Sequence, residues 1–163
     1  MSFLEYFRAS MEACRKKTLR YVEDLSETEL AWRPRHDANP VVWILWHIGE
    51  YEESILWMYY KQPPIFRFKT SCLTCDWKKL PSGKAVLEYL DSARNAFFAF
   101  LDTLQEEQLT QTLETERFGS IQLRDLIALP LFHETYHQGQ IAYIRRLMAK
   151  PVPDENEQHP YRR

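Results

Sequence analysis

Residues 133–137 read HETYH, two histidines four positions apart with a glutamate directly after the first. On a helix, positions i and i+4 share a face, so both imidazoles can reach one cation. The string fits H-E-x-x-H, the zinc-protease signature whose glutamate is a general base. A peptidase of this kind needs a third ligand. In the extended form H-E-x-x-H-x-x-G-x-x-H, Gln140 and Tyr143 stand where the glycine and the third histidine belong. Beyond Lys150 only a short Pro-rich segment remains, and no upstream sheet is expected that could bind a peptide strand. The protease reading fails on these counts. A di-iron carboxylate centre fails as well, because Glu134 and His137 spell one Glu-x-x-His and no other histidine has a glutamate three residues before it. Such centres need two of these motifs and two further glutamates.

A third imidazole is available from a distant part of the chain. His47 lies at the edge of an apolar helical face marked by Ile44, Ile48, Tyr51, Ile55 and Met58. His133 and His137 lie near the middle of a second such face, with Leu126, Pro130, Ile141, Ile144 and Met148. A buried imidazole left without a partner costs about 1–3 kcal/mol. Three of them facing one interior can instead hold a divalent metal, leaving a position open for water or substrate as in catalytic rather than structural centres. The alternative is that all three are core histidines bonded to carbonyls or water. His36 and His159 carry no role.

Positioning these rings requires long helices. Phe3, Phe7, Met11, Cys14, Thr18, Val22 and Leu25 step by three or four and predict a first helix. Ser26 and Glu29 form a capping box that starts a short extra turn before Pro34. Asn39 and Pro40 predict the N-cap and first turn of a second helix, which Pro63 and Pro64 end. Residues 64–81 read as irregular. A third helix spans 84–104, with Leu87, Leu90, Phe97, Leu101 and Leu104 as its seam. A polar stretch of β-like character turns at Gly119 and leads into a fourth helix over about 122–150, which Pro130 is expected to kink. The fold class is therefore all-α, a four-helix bundle over residues 1–150, followed by a flexible Pro-rich charged tail at 151–163.

Composition limits the function. The chain has 163 residues, 45% of them apolar, with four glycines and a net charge of −2, which suits one helical domain and argues against general nucleic-acid binding. The basic clusters RKKTLR at 15–20 and YIRR at 143–146 read as solvated helix faces. Apolar runs such as VVWILW are far shorter than the roughly 20 residues of a membrane span. With no signal-peptide pattern and an odd count of three cysteines, a soluble cytoplasmic protein is expected.

LSETELAWRPRHDANPVVWILWHIGEYEESIL, followed later by LIALPLFHETYHQGQIAYIRRL, resembles the DinB-like (damage-inducible, YfiT-related) superfamily. The similarity runs from the first to the fourth predicted helix. Its most specific part is the histidine spacing with HQGQIAYIRR, and WRP ahead of the second helix supports it. The resemblance implies a four-helix bundle, often a homodimer, with a divalent metal, zinc or nickel, held by His47, His133 and His137. Relatives include transferases that use low-molecular-weight thiols such as bacillithiol and mycothiol, and many members have no established activity. Within that family Glu134 falls at a variable position.

Two features depart from the pattern. Pro130 lies one turn before the first histidine of the pair. Cys72 and Cys75 form a C-x-x-C in the loop after the second helix, open to reading as a plain solvent-facing loop, a redox pair or half of a metal site shared by two subunits. The leading functional expectation is thiolate transfer to a small electrophile, with metal-dependent hydrolysis as its neighbour. Glu50, Tyr51, Glu134 and Gln138 are the candidates for orienting ligands or handling protons, with Tyr51 and Glu134 named as catalytic. The rival is a non-catalytic, stress-associated metal-binding homodimer. Trp43, Trp46 and Trp57 form an aromatic stripe on the second helix that would serve as its partner surface, unless the 64–81 loop covers them.

Overall fold

The computed structural model describes residues 2–150, so the expected tail at 151–163 lies outside the described residues. The four amphipathic stripes become four long helices packed as a bundle, together with one short helix and a hairpin.

Helix α1, Phe3–Arg20, begins in a capping box between Ser2 and Glu5. It stops before the apolar stripe does, yet Val22 and Leu25 stay buried in the turn that follows. The short α2, Glu27–Leu30, opens on the Ser26–Glu29 box. Helix α3, Val41–Tyr60, differs from expectation at its start. Pro40, not Asn39, is the N-cap, because its ψ of 163° is extended rather than helical, and no side chain caps the end. Lys61 then closes α3 in the left-handed region at φ 53°. Helix α4, Gly83–Leu101, is capped by Ser82. Strands β1, Thr112–Thr115, and β2, Gly119–Gln122, pair antiparallel, with Gly119 at φ +62° closing the turn between them. Helix α5, Leu123–Leu147, continues through Pro130 as one element. No helix among the described residues is long and apolar enough to cross a membrane.

Helix α3 packs against both α4 and α5, and α1 lies on α5. The core has two apolar clusters, one around Ile44, Ile48, Leu90 and Ile141, the other around Met11, Ile55, Phe97 and Leu126. Between them each long helix contributes one buried charge: Arg15 from α1, Glu52 from α3, Arg94 from α4 and Glu134 from α5. Two cations thus meet two anions. Arg15 Nε donates to Glu134 Oε1 at 2.9 Å and its Nη2 to Glu52 Oε1 at 2.9 Å, while Arg94 Nη2 reaches Glu134 Oε2 at 2.6 Å and also bonds Glu52. Each Nη1 also donates to a backbone carbonyl, Arg15 to Leu90 and Arg94 to Met11.

This layer corrects the expectation that both basic clusters are solvated. Arg15 of the first cluster is buried in the layer, and Arg145 of the second is buried with its guanidinium on the Tyr21 carbonyl and on Asp24. The physical reason is helical phase. Arg15 lies four residues after buried Met11 and three before buried Thr18, and Arg145 lies four after buried Ile141, so both follow their apolar stripes inward.

The aromatic stripe on α3 is not a free surface. The 61–82 segment folds over it: Trp43 Nε1 donates to the Cys72 carbonyl at 2.8 Å, Trp46 meets Phe68 edge-on at 5.2 Å and Trp57 meets Phe66 at 5.6 Å. Trp43 and Trp46 are buried as a result.

Next to this stripe, Gly49 lets Tyr89 of α4 lie against α3, where an added Cβ would stand 2.9 Å from Tyr89 Cε1 and the ring also meets Phe68. The tyrosine is held there by its hydroxyl, which donates to Glu53 Oε2 at 2.6 Å. Gly49→Ala is therefore expected to destabilise the fold by about 1–3 kcal/mol despite the better helix propensity of alanine, as thermal or urea unfolding would measure.

Candidate metal centre

Helices α3 and α5 lie side by side, and each turns its histidines toward the seam between them. His133 Nε2 lies 3.1 Å from His47 Nε2 and 3.1 Å from His137 Nε2. One donor atom from each ring falls in a group spanning no more than 4.8 Å, and Pro130 one turn earlier does not prevent this convergence. Nitrogens bound at about 2.0–2.1 Å in a tetrahedral shell are separated by roughly 3.3 Å, so three rings at this spacing suit a single ion.

The electrostatics suit it too. Burial first, then the neighbouring His137 and the Arg117 guanidinium, lower the His47 pKa to about 4. Burial, the other two imidazoles and Arg117 lower His133 to about 3. His137 is also lowered by burial, partly offset by Gln140 and Glu134. The lowered values favour the neutral form of all three rings, in which each has one nitrogen lone pair to offer a metal and one N–H to donate elsewhere.

Two of the rings are contacted from behind and the third is stacked on an aromatic face. His137 Nδ1 bonds Gln140 Oε1 at 2.7 Å, so its Nδ1–H donates to the amide when Nε2 keeps its lone pair. His47 Nδ1 lies 3.5 Å from Cys72 Sγ, and its ring stacks on Trp43 at 4.9 Å. His133 lies flat against the Tyr51 ring, with centroids 3.8 Å apart at 11°. Gln140→Leu is expected to weaken metal binding about 10- to 100-fold without unfolding the protein, measured by competition with a chromophoric chelator.

The other sequence candidates are placed elsewhere. Glu134 follows His133 by one residue and turns into the charged layer, where its partners are Arg15, Arg94 and Thr18 Oγ1 at 2.6 Å. It is fully buried and none of its described hydrogen bonds reaches an imidazole. Gln138 donates to the Cys14 carbonyl and to Thr18, beside the same layer. Glu50 pins the loop after α3, accepting from Cys72 N at 2.9 Å and from the Ser71 hydroxyl. The C-x-x-C does not lie in a solvent-facing loop: Cys72 is buried and Cys75 half-buried, because the segment has folded onto the tryptophans. Burial and Glu50 push the Cys72 thiol pKa up, which keeps it protonated behind His47.

Arg117, in the β1–β2 turn, was not singled out by the sequence. Its guanidinium stands over the Tyr51 ring at 5.1 Å and so brings positive charge to the edge of the imidazole cluster. No helical periodicity marks a residue at a hairpin tip.

The sequence profile of the DinB superfamily matches residues 10–141, a span that contains all three imidazoles. The chain belongs to the DinB superfamily. Among curated proteins none matches the chain. Several solved structures share the DinB-type fold at low sequence identity. A conserved protein from Enterococcus faecalis is 16% identical with a TM-score of 0.73, covering 91% of this chain and 98% of its own. A DinB-like protein from Bacillus cereus is 18% identical with a TM-score of 0.73, covering 93% and 97%. YfiT from Bacillus subtilis, described as "a probable metal-dependent hydrolase with an unusual four-helix bundle topology", is 17% identical with a TM-score of 0.68, covering 92% and 91%. At these identities the likeness establishes the bundle of this DinB-superfamily chain, not its chemistry.

Proposed function

We propose that this protein is a cytoplasmic metal-dependent transferase that uses a low-molecular-weight thiol, with His47, His133 and His137 holding a zinc or nickel ion. The observation that carries it is the convergence of three Nε2 atoms from two helices, with His137 and His47 contacted at Nδ1 and His133 stacked on Tyr51. An all-imidazole set suits zinc and nickel, and three protein ligands leave room for a small molecule. A cation held there lowers the pKa of a bound thiol or water enough to supply a nucleophile near neutral pH. The thiol sulfur then forms the new bond to the electrophilic carbon, the leaving group departs with the electrons of the bond that breaks, and the thiol proton passes to solvent.

The residues around the ring cluster have separate parts. Tyr51, whose phenol is kept protonated by burial, holds the His133 ring in plane and borders the reacting space. It is a positioning residue on this account, as are Gln140 and Cys72. Glu134 acts through the fold alone. Metal-dependent hydrolysis would use the same three ligands with water in place of the thiol, and the description of YfiT favours keeping it as the second reading. A homodimer is proposed as well, seated on the outer face of α5, where Phe132, Tyr136, Tyr143 and Leu147 form an exposed stripe. Light scattering after size exclusion tests it, and a monomer at high concentration removes it.

The functional test incubates zinc- or nickel-loaded protein with bacillithiol or glutathione and an electrophile such as monochlorobimane. Adduct formation that is lost in His137→Ala supports transfer. Ester hydrolysis without thiol consumption would assign the hydrolase, and no turnover of any kind would leave the non-catalytic metal-binding homodimer.

A further inference from the structure

A cleft of about 770 Å³ lies between the C-terminal half of α3, the segment after it and the β1–β2 turn; no imidazole lines it, and Arg117 and Tyr51 connect it to His133. Trp57, Met58, Pro63, Phe66 and Leu73 give it an apolar body, and Arg117 closes the wall nearest Tyr51. Arg117 therefore belongs to both places. On one side it caps the tyrosine that stacks on His133, and on the other it faces the cleft.

The charges there are mixed, and their pairing is informative. Glu50, in the same wall, is occupied by Ser71 and Cys72. Glu114, Glu116 and Lys61 also border the cleft. Arg117 forms no hydrogen bond or ion pair with any of them among the described residues; its described contacts are the faces of Tyr51 and Phe118. The turn that carries it is closed by hydrogen bonds. Thr115 Oγ1 accepts from Phe118 N at 3.0 Å and donates to the Gly119 carbonyl at 3.2 Å, so the guanidinium is presented from a closed turn rather than a loose loop. An exposed guanidinium fork with no carboxylate partner, standing beside an apolar cleft, matches a planar anion bidentately.

We infer that Arg117 is the anion-recognition residue of this cleft and that the small molecule acted on at the three imidazoles carries a carboxylate beside an apolar body. The inference rests on the metal-centre reading and names the substrate class for it: an anionic thiol or its carboxylate-bearing adduct, with sulfur at the imidazoles, carboxylate at Arg117 and the apolar part against the cleft wall of Trp57, Met58 and Leu73.

The test uses the full-length protein loaded with cobalt(II), titrated with ω-mercaptoalkanoates of increasing chain length and with mercaptoalkanols of the same lengths. The near-ultraviolet sulfur-to-cobalt absorption reports the thiol end, and the acid-to-alcohol ratio of dissociation constants reports the carboxylate end. The expected result is a preference for the acid of about 10-fold or more at one chain length, abolished in Arg117→Ala and reduced in Arg117→Lys, with cobalt content unchanged in both variants. An absorption band with equal affinity for acid and alcohol, or a preference that survives Arg117→Ala, overturns the inference and leaves the metal centre standing. No cobalt uptake overturns the metal centre and the inference together; cobalt uptake with no sulfur band for any thiol overturns the inference and the thiol-transfer reading and leaves the metal centre standing.

Discussion

His133→Ala is expected to reduce bound transition metal from about one equivalent per chain to less than about a tenth after exchange into metal-free buffer, and to weaken affinity by more than about 100-fold. His133 lies 3.1 Å from both other Nε2 atoms and is the ring that links α3 to α5 at this point. Removing it leaves one imidazole on each helix with nothing between them, a larger loss than removing an orienting partner, which alone costs 10- to 100-fold. Elemental analysis of protein purified without a metal-affinity tag measures the first quantity, and chelator competition the second. The fold should survive, because His133 is only half-buried and makes no bond to the charged layer.

The same rings set a pH dependence in the metal-free protein. His47 near 4 and His133 near 3 lie below the ordinary histidine value of 6.5. Between pH 6.5 and about 4 the unfolded chain takes up protons that the folded chain refuses, so stability falls as pH falls through that window. His36 stands outside the cluster. Chemical denaturation across pH should therefore show a slope between 6.5 and 4.5 that flattens in His133→Ala.

Glu134→Ala is expected to cost about 3–5 kcal/mol, lowering the melting temperature by about 6–20 °C. Arg15 and Arg94 are both buried, and Glu134 is the carboxylate that Arg15 Nε, Arg94 Nη2 and Thr18 all address. Its removal leaves two guanidinium groups sharing Glu52, one of whose oxygens, Oε2, already has no partner. The arginines hold the Glu134 carboxyl below its ordinary pKa against the cost of burial. Its stabilisation is therefore full above the unfolded carboxylate value near 4.5 and is lost as pH falls through the lower folded value. A general base of the protease kind would show the reverse signature, lost turnover with an unchanged melting temperature. Calorimetry of metal-loaded Glu134→Ala and Glu134→Gln separates the two.

The bundle was legible because apolar spacing and caps agree. Ser26 with Glu29, the steps along Ile44, Ile48 and Ile55, and the prolines after Tyr60 each specify one local structure, and tertiary packing did not override them. The imidazole cluster was legible for the same reason, since helical phase alone points His47, His133 and His137 inward. The charged layer was not. Cys14 and Arg15 are both compatible with the phase set by Met11 and Thr18, and an apolar stripe favours the cysteine, but only a partner from another helix makes burying the arginine tolerable. That partner, Glu134, lies directly after a candidate ligand, where the sequence reads equally as a proton-handling residue. Arg117 and Gln140 show the two remaining limits. A hairpin tip has no periodicity to read, and an orienting amide one turn from a ligand is recognisable only once the ring it holds is placed.

X-ray absorption at the metal edge of the loaded protein tests the central claim most directly. The account predicts about three imidazole nitrogens at roughly 2.0–2.1 Å, with the outer-ring scattering that imidazole produces, and one further light atom. A shell of sulfur at about 2.3 Å, or of oxygen without imidazole, would contradict it.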